Sequence, residues 1–170
     1  IILSTIVDQQ IRQLARTYGL IEPFNPEQVN PASYDVQLGA MIKREGVGQE
    51  ERWVPVDISE KPYVMQPGEF ILASTQEFIR VPVDMECVFN LKSSRGREGY
   101  EHLMAGYIDP GFHGEVTLEI CNVNRHHRLP LIQGMLMGQL RFSKLDSTPM
   151  RSYAVTGRYH KDRGVVTSKG

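Results

Sequence analysis

The sequence predicts a mainly β protein, an antiparallel sandwich or distorted antiparallel β-barrel, with one short helix at its N-terminus. Helical periodicity is convincing in one place only. After it come seven segments rich in β-branched and aromatic residues, punctuated by Pro and Gly. No second long helix lies between them to serve a parallel crossover, so antiparallel pairing follows. A chain of 170 residues suits one domain that buries about two-thirds of its unfolded surface.

The helix is placed by Val7, Ile11, Leu14 and Tyr18 at i, i+4, i+7 and i+11, with Ser4 as N-cap and Gly19 just past its end. The predicted strands are Tyr34–Leu38, Met41–Arg44, Trp53–Val56, Phe70–Phe78, Met85–Leu91, Glu115–Asn122 and Met135–Leu145. Gly46–Glu51 reads as a polar hairpin tip. Residues 1–146 are read as the β domain. Residues 147–170 are read as an arm of that domain, because Val165 and Val166 are its only large aliphatic residues side by side. Such a segment is expected to order on a ligand or a neighbouring subunit.

Composition narrows the function. A net charge of −1 lacks the basic excess of a general binder of nucleic-acid polymers, so any bound polyanion should be small and held by local cations. No apolar run approaches the roughly 20 residues needed to span a bilayer, and no signal peptide is visible; a cytoplasmic location is the expectation. Cys87 and Cys121 form no CxxC pair and sit in apolar, strand-like surroundings, which predicts free buried thiols.

The chemistry concentrates between Lys92 and Asn122. In the strand Val116, Leu118 and Ile120 share one face, leaving Thr117, Glu119 and Cys121 on the other. A lone Glu119 there is costly to bury without a cation or hydrogen bonds. Arg97, Ser93 and Ser94, on a preceding turn, are candidate partners. Burial raises a carboxylate's pKa toward the range where a general acid/base works at neutral pH. The competing reading is a structural Glu–Arg pair at a subunit contact.

Ser93-Ser94-Arg95-Gly96-Arg97, with Lys92 before it, offers hydroxyls, backbone N–H groups and guanidinium forks suited to phosphate; an ordinary solvated loop is the alternative. Asp109-Pro110-Gly111-Phe112 reads as a tight turn. Its Asp could accept a sugar hydroxyl and its Phe could cover a ring, or the Asp could simply cap the turn. His113-Gly114-Glu115 matches half of the zinc deaminase signature, but the C-x-x-C half is missing, so no zinc site is predicted. The tail's Tyr153, Arg158, Tyr159, Lys161, Arg163 and Lys169 suit a lid over a phosphorylated ligand; the alternative is a disordered basic tail.

Taken together these motifs resemble the dCTP deaminase branch of the dUTPase/dCTP deaminase family. The resemblance runs over nearly the whole chain. It includes Asn30-Pro31-Ala32-Ser33-Tyr34-Asp35-Val36-Gln37-Leu38-Gly39, Lys92-Ser93-Ser94 with Arg97, Ala105 to Phe112, Thr117-Leu118-Glu119, Gly138-Gln139-Leu140 and Gly157-Arg158-Tyr159. Deaminases of this family carry the Glu of the Thr-Leu-Glu element, whereas plain dUTPases typically lack it. The resemblance implies a dUTPase-like jelly roll, assembled as a homotrimer with sites between subunits. It further implies that Glu119 shuttles protons for a water attacking cytosine C4, oriented by Arg97, Ser93 and the Ala105 backbone. Asp109 would hold the deoxyribose 3′-hydroxyl. Lys92, Ser93, Ser94, Arg95, Gly96, Phe112, Thr117, Leu118, Gln139, Tyr153, Arg158 and Asp162 fall at nucleotide-binding positions. Mg²⁺ would arrive on the triphosphate.

The implied reaction is dCTP plus water to dUTP plus ammonia. Alternatives are a bifunctional enzyme that continues to dUMP and pyrophosphate, a dUTPase alone, and a catalytically silent nucleotide sensor. One departure stands out. Asp162 replaces a Gln that commonly meets the triphosphate, and its anion would repel phosphate unless Lys161 or Arg163 compensates.

Overall fold

The alternating pattern of the sequence becomes two facing antiparallel sheets. The computed structural model describes residues 4–103 and 105–169. In chain order its elements are β1 (Ser4–Thr5), α1 (Asp8–Thr17), β2 (Ile21–Glu22), a 3-10 turn (Pro26–Gln28), β3 (Val29–Asn30), β4 (Ser33–Gln37), β5 (Met41–Glu45) and β6 (Trp53–Asp57). There follow β7 (Tyr63–Met65), β8 (Phe70–Arg80), β9 (Met85–Leu91), α2 (Ser93–Glu98), β10 (Tyr100–His102), β11 (Tyr107–Ile108), β12 (His113–Asn122), β13 (Leu129–Leu131), β14 (Leu136–Lys144) and α3 (Tyr153–Thr156). All seven predicted strands are present, with ends moved by one or two residues. The strands that sequence reading missed are two or three residues long, too short to show a period of two.

The N-terminal helix is real but starts later than expected. Ser4 does not cap it: Ser4 pairs with Lys144 in β1–β14. Val7 stands at the cap position, its N–H donating to the Gln10 side-chain oxygen at 3.1 Å. Gly19, at φ +70°, ends the helix as expected, and the Leu20 N–H reaches back to the Leu14 carbonyl at 3.3 Å. A left-handed residue after a helix is where glycine belongs.

One sheet has the order β11-β9-β14-β4-β3, with β1 also on β14; the other has β10-β12-β8-β5-β6, with β2 also on β8. A separate pair joins β13 to β7. Between the sheets lies a core in which Tyr34, Val36, Phe89, Leu140 and Phe142 face Ile71, Ala73, Tyr100, Leu118 and Ile120, all buried. The sheets touch directly where Leu38 bridges Thr75. The result is a distorted barrel of jelly-roll type, as predicted. Among the described residues no helix is long and apolar enough to cross a membrane. Cys87 and Cys121 are free, Cys87 buried as expected but Cys121 only half-buried because it lies on the outer face of its strand; burial pushes the Cys87 thiol well up.

The β8–β12 ladder slips between Glu115 and Thr117, leaving a bulge on β8 that holds Thr75 and Glu77. The Thr75 hydroxyl satisfies the bulge by accepting the Val116 N–H at 3.0 Å and donating to the Glu77 carbonyl at 2.8 Å. The bulge sends the Glu77 side chain inward, where it is 1% exposed. Its carboxylate accepts the Gln37 N–H at 3.0 Å and the Gln28 amide at 3.1 Å. Desolvation nevertheless raises its pKa above the ordinary glutamate value.

A carboxyl raised on folding favours the native state at acid pH. That contribution is lost as pH climbs from the ordinary glutamate range through the raised folded value. Glu77→Gln has no such ionisation. In urea unfolding between pH 4 and pH 8, the stability of Glu77→Gln relative to the parent should therefore improve as pH rises and level off once the raised value is passed. A pH-independent difference would show that Glu77 titrates normally.

Candidate active site

β12 lies between β8 and β10, with Glu119 opposite Leu72 and Ile120 opposite His102. Along its ten residues every second side chain is buried. Val116, Leu118 and Ile120 enter the core, so Glu115, Thr117, Glu119 and Cys121 must share the other face. Glu115, Thr117 and Glu119 line a cavity of about 1060 Å³. Its aromatic walls are Trp53, Phe70 and Phe112, and Tyr153, Arg158, Tyr159 and Asp162 border it on the arm side.

The Glu119 side chain keeps 30% of its exposure, but Oε2 is shielded and lies 3.3 Å from His102 Nε2. Neither atom has a hydrogen-bond partner among the described residues. The His102 side chain is 5% exposed, its ring tilted against Phe89 at 4.7 Å. Within one chain the neighbour of Glu119 is thus His102, not Arg97. The reason is topological: β10 carries His102 onto β12, whereas β9 delivers α2 from the opposite sheet. His102 escaped sequence reading because a three-residue strand gives no periodic signal.

Asp109-Pro110-Gly111-Phe112 forms the expected turn, with Gly111 at φ +83° and the Phe112 N–H donating to the Asp109 carbonyl at 3.1 Å. Partial desolvation raises the Asp109 carboxyl. Phe112 packs against Tyr153 with centroids 5.7 Å apart. The Tyr153 hydroxyl accepts the Tyr159 N–H at 3.2 Å, which ties α3 to the arm. Asp162 is compensated, but by neither expected cation: Lys169 Nζ donates to it at 2.6 Å.

The structure therefore gathers Ala105, Asp109, Phe112, Thr117, Glu119, Tyr153, Arg158 and Asp162 around one cavity. It does not bring the Lys92–Arg97 group there. That segment is a short helix rather than a turn, ended by Gly99 at φ +100°. Lys92 pairs with Asp35 and Arg95 donates to the Leu136 carbonyl at 3.2 Å, while Ser93, Ser94, Gly96 and Arg97 are exposed. The Gln139 side chain accepts the Ser33 hydroxyl at 2.8 Å, and the Leu118 side chain is in the core. Among the described residues no group of three or more His, Cys, Asp or Glu side chains could hold a metal ion.

A shielded carboxylate beside an imidazole suits proton transfer, aromatic walls suit a planar ring, and Arg52 and Arg158, which line the cavity, suit an anion. Comparison with known proteins points the same way. A family model described as dCTP deaminase-like matches residues 5–145. A relative from Mycolicibacterium smegmatis, named dCTP deaminase, dUMP-forming, is 37% identical over 178 residues, covering 95% of this chain and 94% of the relative. One of the same name from Aquifex aeolicus is 36% identical over 169 residues, covering 95% and 92%. The crystal structure of 2′-deoxycytidine 5′-triphosphate deaminase from Agrobacterium tumefaciens shares the fold with a TM-score of 0.70 at 24% identity. That match covers 84% of this chain and about half, 48%, of the other.

Trp53 is the single tryptophan of the chain and lines the cavity. A deoxycytidine nucleotide entering there is expected to change its emission saturably. An unchanged spectrum under conditions where calorimetry records binding would place the ligand elsewhere.

Proposed function

Because the chain belongs to the dCTP deaminase-like family, we propose that it deaminates deoxycytidine triphosphate in this cavity and carries the product on to dUMP. The observation that supports the chemistry is Glu119: a carboxylate open to the cavity on one side and shielded beside His102 on the other. In this reading a water attacks C4 of the cytosine and Glu119 accepts its proton as the carbon–oxygen bond forms. That bond forms as the C4=N3 double bond opens, and Glu119 delivers the proton to N3. It then carries the proton of the new C4 hydroxyl to the exocyclic nitrogen, the carbon–nitrogen bond breaks as the C4 carbonyl forms, and ammonia leaves a uracil ring. The balance is dCTP plus water to dUTP plus ammonia. A second water displaces pyrophosphate from the α-phosphorus to give dUMP. The shared description of the relatives as dUMP-forming favours this second step over release of dUTP.

The remaining roles follow from position. The Ala105 backbone helps orient the water, Asp109 receives the deoxyribose 3′-hydroxyl, and Phe112 covers the sugar. Tyr153, Arg158 and the Asp162–Lys169 pair meet the phosphates. Arg97 and Ser93, exposed on α2 and remote from their own cavity, would complete the cavity of an adjacent copy in a homotrimer. Gln139, paired opposite Asn90 on the strand that leads into α2, would arrive with that copy, as would Lys92 to Gly96. Magnesium bound to the triphosphate would neutralise phosphate charge. The nearby carboxylates Glu115 and Asp162 already have protein donors, which fits a metal carried by phosphate oxygens rather than by a protein cage.

Glu119→Gln keeps the shape and removes the proton shuttle. Turnover of dCTP should fall by about 10²–10⁴-fold while nucleotide binding is retained; unchanged turnover would remove Glu119 from the mechanism. Chromatography of the parent's products from dCTP should show dUMP, pyrophosphate and ammonia in equal amounts. Accumulating dUTP would restrict the enzyme to deamination. No ammonia, with pyrophosphate released rapidly from dUTP, would make it a dUTPase.

A further inference from the structure

His113-Gly114-Glu115, whose spacing imitates half of a zinc motif, has another use in this fold. β10 covers one edge of β12 only from Ile120 to Asn122, so the same edge is open further back. The C-terminal arm lies along it. The Lys161 N–H donates to the His113 carbonyl at 2.5 Å, and the Glu115 N–H donates to the Asp162 carbonyl at 3.1 Å. The arm then continues in the same direction as β12. The Gly164 N–H donates to Glu115 Oε2 at 2.6 Å and the Val166 N–H to the Thr117 hydroxyl at 3.3 Å. Two main-chain bonds and two bonds to β12 side chains, with both residue numbers rising together, lay the arm along this edge in the direction of β12, although the arm itself is not a strand.

Each residue of the triplet has a reason to be there. A Cβ at Gly114 would stand 2.9 Å from the Phe112 ring and 3.1 Å from the Asp162 carbonyl, so only glycine lets the arm come this close. Glu115 accepts an amide from Gly164, which sits at φ +66° where the arm turns. A carboxylate accepting N–H groups makes a stronger bond than a neutral acceptor. The His113 ring adds a tilted contact with His160 at 5.2 Å. Glu115, Thr117 and Glu119 follow one another on the same face, so the strand that carries the proposed proton shuttle also holds the arm.

We propose that His113-Gly114-Glu115 is the dock of the C-terminal arm and that Glu115 is a positioning residue for nucleotide binding. It acts by holding Arg158, Tyr159 and Asp162 over the cavity, and does not touch the reacting atoms. The role assigned to Glu115 in nucleotide binding rests on the function proposed above; the docking itself does not.

The test separates the two. In the nucleotide-free protein, trypsin cleavage at Arg158, Lys161 and Arg163 should be about tenfold faster in Glu115→Ala and in Gly114→Ala, in line with the loss of one charge-assisted bond. Glu115→Gln, which still offers an oxygen to Gly164, should recover most of the protection. Unchanged cleavage in both Ala variants would overturn the dock whatever the enzyme's substrate. With dCTP, Glu115→Ala should raise KM about tenfold while kcat stays within about twofold, and Glu115→Gln should restore KM. A fall in kcat at constant KM would overturn the positioning role. An inactive parent with arm protection behaving as expected would defeat the functional reading and leave the dock standing.

Discussion

Everything at this site depends on the strict alternation of β12. Ten consecutive residues keep a period of two because the strand is held on one side by β8 and its inner face is pinned by Val116, Leu118 and Ile120. A one-residue slip would send Glu119 into the core and expose Leu118, exchanging a large apolar burial for a buried charge. Register is therefore fixed by the hydrophobic effect, while the chemistry occupies positions the core does not use. The bulge on β8 belongs to the same solution. It absorbs the mismatch between Glu115 and Thr117 on the partner strand, so β12 keeps its alternation.

The charges at the site are divided by topology. Among the described residues the ionisable group beside the Glu119 carboxylate is the imidazole of His102, and Arg97 stands exposed on α2. In the proposed reading this separation has a purpose. A shielded carboxylate bound permanently to its own guanidinium would lose basicity, whereas a guanidinium brought by a neighbouring copy makes a competent site depend on assembly. Asp162 shows a different solution. Its charge would repel phosphate, but Lys169, seven residues on, neutralises it within the arm and also donates to the Arg158 carbonyl at 2.8 Å. The arm thus carries its own counter-ion.

The long elements were legible because burial imprints a period on them. Met85–Leu91 and His113–Asn122 bury every second residue over most or all of their length, and Phe70–Arg80, buried at five positions running, shows instead as a long apolar, β-branched run. The Asp109 turn was legible because proline and a left-handed glycine leave few other conformations. What could not be read was what non-local pairing decides. Tyr100–His102 becomes a strand only because β12 is waiting for it, and that pairing brings His102 to Glu119. Ser4 looked like a helix cap because its chemistry suits one, yet β14 claimed it as an edge partner. Lys92–Arg97 read as a turn because serine and glycine favour one locally; Gly99 instead closes a short helix behind them.

In the proposed reading the two ends of a nucleoside meet two carboxylates in different surroundings, and both line the cavity. Glu119 comes from the middle of a strand, with one oxygen shielded beside an imidazole. Asp109 comes from a turn at the rim, exposed, with only partial desolvation raising it. Their elements differ too, so each can be placed without moving the other. In the proposed sequence the base lies against Glu119 and the sugar against Asp109, with the phosphates running on toward Arg158 and the arm. Deamination leaves every atom beyond the ring where it was, so the nucleotide need not leave before its phosphates are hydrolysed. Strand β12 joins the two halves, because the face that carries Glu119 at one end holds the arm through Glu115 at the other.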